Sequence, residues 1–82
     1  MHEWGIASNI IEKIKENALE NGIAKVVAAE IKLGKSLHIG IDEFRDCLQV
    51  LAQKEAGSVH GCRFDIEEVD SKLATLASIE GE

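Results

Sequence analysis

The sequence predicts an α+β domain in which two helices pack on one face of a three-stranded sheet, in the chain order α-β-α-β-β. Three observations carry that prediction. Apolar residues recur at spacings of three and four in two stretches, apolar and polar residues alternate in two others, and most glycines fall between these stretches. At 82 residues the whole chain, 1–82, is expected to form one domain with one small core.

The first helix is expected over residues 3–21. Ile6, Ala7, Ile10, Ile11, Ile14 and Ala18 form its apolar stripe, Glu12, Lys13, Lys15 and Glu16 take the other side, and Gly22 supplies the usual stop. Trp4 is expected to pack this helix against the sheet, or to shield a metal. From Lys25 to Leu33 the period changes to two, with Val27, Ala29, Ile31 and Leu33 on one face and Ala28, Glu30 and Lys32 on the other. A loop, residues 34–40, leads to a second helix over Ile41–Ala56, whose first turn carries Asp42 and Glu43 where the helix dipole favours negative charge. Its stripe is Ile41, Phe44, Leu48, Leu51 and Ala52. Cys62, Phe64 and Ile66 then alternate with Arg63, Asp65 and Glu67 as a second strand, and residues 73–79 follow a turn as a third. Strand order 1-3-2 would make every neighbouring pair antiparallel, and is the expected arrangement.

Nine Lys and Arg against fifteen Asp and Glu give a net charge of −6, with no basic cluster. Nucleic-acid binding depends on such clusters to neutralise phosphates, so it is excluded. No run of about 18 apolar residues is present to span a membrane, and the opening residues lack the basic-then-apolar order of a signal peptide. A cytoplasmic location is expected.

Little in the chain suggests catalysis. Gly34-Lys35-Ser36 resembles the end of a phosphate-binding loop but lacks its earlier glycine and the helix that should follow. His60 and Cys62 are close in sequence, yet Cys62 faces the predicted core. Cys47 and Cys62 read as reduced, buried thiols; neither has a second cysteine two residues away, so no structural zinc site is expected. His38 and His60 read as exposed loop residues, either of which could join a metal site.

The amino terminus offers different chemistry. The Met1 amine, the His2 backbone nitrogen once deprotonated, and the His2 imidazole can close two fused chelate rings on one cation, with Glu3 as a further donor. Such a tetragonal nitrogen-and-oxygen set suits Ni(II) or Cu(II). Any chain beginning Met-His offers these donors, so a solvated terminus is the competing reading, and Glu3 also suits a helix N-terminus.

The opening Met1-His2-Glu3-Trp4 before an amphipathic helix resembles the HypA/HybF family of hydrogenase nickel-incorporation proteins. The likeness continues through the Val26–Gly34 strand, the Asp42-Glu43-Phe44 helix start and Gly61-Cys62-Arg63-Phe64-Asp65-Ile66. It implies a nickel metallochaperone for [NiFe] hydrogenase maturation, with Met1, His2 and Glu3 as the metal site. It also implies a maturation GTPase and the hydrogenase large subunit as partners, and allows a homodimer. Family members carry two Cys-x-x-Cys pairs in a zinc module inserted after the second strand; here that module is missing, and residues 72–80 resemble the strand that returns from it. The rival reading is a protein-interaction or regulatory module that kept the fold without delivering metal.

Overall fold

The computed structural model describes residues 2–54 and 57–82. The element order is α1 (Glu3–Glu20), β1 (Val26–Gly34), a 3-10 turn (Lys35–Leu37), α2 (Ile41–Lys54), β2 (Arg63–Val69) and β3 (Ala74–Gly81), which is the predicted α-β-α-β-β order. The expected end of the second helix at Glu55 and Ala56 lies outside the described residues.

The end of α1 and the start of α2 each have a local cause. α1 ends where Gly22 adopts φ 65°. The Ile23 N–H then donates to the Ala18 carbonyl at 2.8 Å and the Gly22 N–H to the Leu19 carbonyl at 3.3 Å, satisfying carbonyls that the helix leaves open. At the head of α2, Glu43 reaches back and accepts the Gly40 N–H at 3.2 Å, half of a capping box.

The sheet order is β2-β1-β3, with β1 parallel to β2 and antiparallel to β3. This corrects the expected order 1-3-2. The β-α-β connection through α2 brings β1 and β2 together as parallel neighbours, and the apolar β1 takes the centre while the charged β2 takes an edge. β3 does run opposite to β2, but the two never pair. Residues 70–73 cross the end of β1 to join them, over two inter-strand spacings or about 10 Å.

That crossing is tightly built. The Gly34 N–H donates to the Leu73 carbonyl at 2.9 Å, and the Ser36 N–H to the Ser71 carbonyl at 3.2 Å. The Leu73 N–H donates to Ser71 Oγ at 3.0 Å.

Alternation along β1 also departs from expectation. Ala29, Ile31 and Leu33 are buried as predicted, but Val26 is buried and Val27 is exposed. The register against β3 shifts between Val26 and Ala28, so the face is reset at that point. Ala28, on the other face, is also buried, as befits a central strand.

Phe44, Phe64, Ile10, Ile14, Ile31, Leu33 and Leu48 form the core between the helices and the sheet, and no polar residue among those described is buried with them. Ile66 packs only at its margin. No helix among the described residues is long and apolar enough to cross a membrane.

Candidate metal centre

The expected site lies at the head of α1. Met1 lies outside the described residues. His2 is the residue before the helix, with φ −119° and ψ 19°, and its side chain makes no capping hydrogen bond. Its imidazole is exposed. The His2 carbonyl accepts the Ile6 N–H at 2.9 Å, which anchors the backbone there. The first amide N–H groups of a helix have no acceptor within it. Deprotonating the His2 amide on a metal would therefore break no helical hydrogen bond.

Glu3 is the first residue of α1 and sits in the stripe of Ala7, Ile10 and Ile14, at spacings of four, seven and eleven. Its carboxylate is accordingly turned inward. Glu3 Oε1 is buried and has no hydrogen-bond partner. Leaving a buried oxygen unpaired costs about 1–3 kcal/mol, more when it is charged. A cation held there would supply the missing partner.

The Glu3 carboxylate also acts on α2. Cys47, buried on the α2 stripe, has its thiol pKa raised, first by burial and next by the negative charge of Glu3, with Asp46 and Glu43 adding to it. Sequence reasoning missed this link. The 44-residue separation hides it, and only the shared direction of the two apolar stripes could have pointed to it.

His2 precedes the helix with non-helical backbone angles, so its side-chain direction is set independently of the helical stripe that Glu3 begins. Among the described residues no three His, Cys, Asp or Glu side chains gather as a metal cluster. His38, in the left-handed conformation at φ 56°, and His60, in the turn before β2, thus join no such group with His2 and Glu3.

Trp4 corrects a further expectation. It is 51% exposed. One residue beyond Glu3, it falls off the core stripe, so it does not pack α1 against the sheet.

The helix dipole opposes a cation at an N-terminus by about 0.3–1 kcal/mol. The Glu3 carboxylate and a metal-bound amidate both offset that cost. The two cysteines are free and buried. Burial pushes the Cys62 thiol up to about 11, with Asp65 adding to the shift and Arg63 opposing it. Such thiols are poor nucleophiles and poor ligands at neutral pH.

A family model described as hydrogenase/urease nickel incorporation, metallochaperone, hypA matches residues 1–75. The hydrogenase maturation factor HypA of Methanopyrus kandleri is 31% identical over 67 residues, covering 82% of this chain and 46% of that protein. That of Campylobacter jejuni is 34% identical over 53 residues, covering 65% of this chain and 46% of its own length. The chain thus spans about half the length of these curated relatives. In fold it is similar to the solution structure of the Ni metallochaperone HypA from Helicobacter pylori, with a TM-score of 0.82 at 14% identity, over 98% of this chain and 97% of that one. A second solution structure of a HypA protein gives a TM-score of 0.76 at 16% identity.

Proposed function

This chain belongs to the HypA family of nickel-incorporation metallochaperones, and on that premise we propose that it carries Ni(II) at Met1-His2-Glu3 for delivery to a maturing nickel enzyme. The observation that carries the assignment is the buried, unpartnered Oε1 of Glu3 at the head of α1. The Met1 amine, the deprotonated His2 amide nitrogen and the His2 imidazole would bind the ion in a plane, and Glu3 would complete the set from the helix. Protons compete with the metal for these nitrogens, so affinity falls as pH drops.

The rest of the reading concerns the whole chain. Residues 1–82 act as a single nickel-binding domain without structural zinc, the connection 70–73 closing the place where relatives carry their zinc module. The client is a hydrogenase large subunit and the co-worker a maturation GTPase, in the cytoplasm. A regulatory or interaction module without metal delivery is the second reading.

Nickel titration of the untagged chain tests the site. Trp4 is the chain's single tryptophan and lies one residue beyond Glu3, so its fluorescence should report binding. An N-terminal extension and His2→Ala should each abolish the response while leaving circular dichroism unchanged. Equal binding by extended and untagged chains would move the site elsewhere and favour the second reading.

A further inference from the structure

A groove runs between α1 and the β2–β3 connection, floored by Ile6 and Ile10 on one wall and by Leu37 and Leu73 on the other. Leu73 is 64% exposed. Its backbone is pinned, because the Leu73 N–H is held by Ser71 Oγ and its carbonyl by the Gly34 N–H. The Ser36–Ser71 backbone bond ties in the 3-10 turn that carries Leu37, so this wall is preformed. A partner that fills such a groove spends little on ordering it.

Each wall also carries one cation. Lys13 stands on α1 and Lys72 on the connection, and neither makes an ion pair among the described residues. Among the described residues, the lining of the groove holds these two cations and no carboxylate, around an apolar floor. A second copy of the chain, apposed groove to groove, would bring these like charges together and is disfavoured.

We propose that the groove docks a short segment of another protein that presents apolar side chains flanked by carboxylates. The apolar groups would cover Leu73 and Ile6, and the carboxylates would meet Lys13 and Lys72. The Ile6 amide is bonded to the His2 carbonyl at 2.9 Å, so the occupant would lie one helical turn from the metal centre. That the occupant exchanges metal with this chain rests on the nickel reading; the ligand chemistry of the groove does not.

Selection of displayed random short peptides on the untagged full chain tests the proposal. Enriched peptides should share apolar residues flanked by Asp or Glu. The leading peptide should bind Leu73→Ser and Lys13→Glu at least about tenfold more weakly, a loss of about 1.4 kcal/mol each, and should weaken with added salt. Both positions are exposed, so both variants should keep the wild-type circular dichroism and the wild-type nickel response. Failure to enrich, enrichment indifferent to both substitutions, or self-association of the chain that Leu73→Ser abolishes would each overturn the proposal. Absence of nickel binding in the wild-type chain would remove the metal reading while leaving the peptide result standing.

Discussion

The carbonyl oxygen of Ser71 lies so close over Gly34 that a Cβ on the glycine would overlap it, and the Leu73 carbonyl would stand only 2.7 Å from the same atom. Gly34 has φ −69° and ψ 132°, ordinary extended values, so the glycine is needed for room and not for conformation. It lets the connection between the two outer strands pass over the end of the central one.

Gly34→Ala should therefore destabilise the fold. The overlapping atoms are backbone, and forcing a methyl into packed surroundings costs about 1–3 kcal/mol. Denaturant unfolding followed by circular dichroism should show a lower midpoint. An unchanged midpoint would mean that the connection yields freely.

The two apolar residues of β2 should behave differently on truncation. Phe64 is 2% exposed and belongs to the core, whereas Ile66 packs at its margin. Phe64→Ala should cost about 3–5 kcal/mol, and Ile66→Ala roughly 1–2 kcal/mol, in line with partial burial. Comparable losses in the same unfolding experiment would contradict the burial seen here.

Glu3→Ala should separate stability from binding. It removes a favourable charge at a helix N-terminus, about 0.3–1 kcal/mol, but also removes a buried oxygen without a partner, about 1–3 kcal/mol. The melting temperature of the metal-free chain should hold or rise while nickel affinity falls. A clear loss of metal-free stability would make Glu3 a structural residue.

Alkaline stability should fall because of Cys62. Its thiol is raised from 9.0 to about 11 in the fold. Between those values the unfolded chain has lost the thiol proton and the folded chain still holds it, so rising pH favours unfolding. The contribution is fully present below about pH 9 and gone above about pH 11. Cys62→Ala should show a shallower decline over that interval than wild type; parallel curves would rule out the assignment.

The helices were legible because their apolar stripes and glycine stops are local. Ile10, Ile14 and Phe44 sit where the 3.6-residue period places them. Strand pairing was not legible. Nothing in the alternation of Phe64 and Ile66 says which strand lies beside it, and the short connection suggested a hairpin that the structure replaces with a crossing. Val27 was misplaced because a bulge breaks the period at one residue. At the candidate site the sequence supplies only the proposed donor types, Met1-His2-Glu3. The inward turn of Glu3 and its influence on Cys47 depend on how α1 lies across α2, which no local pattern records.

The crossing of residues 70–73 also bears on how the chain finds its fold. Adjacent strands in sequence usually zip up from their turn, but β2 and β3 share no ladder to zip. β1 pairs with segments that follow it by more than thirty and more than forty residues, at Ala29↔Phe64 and Ala29↔Ile79. Closing such loops precedes any reward from the contacts they bring together, which slows folding. β3 can dock only once β1 is in place beneath the crossing, so the last strand of the chain is expected to be the last to order.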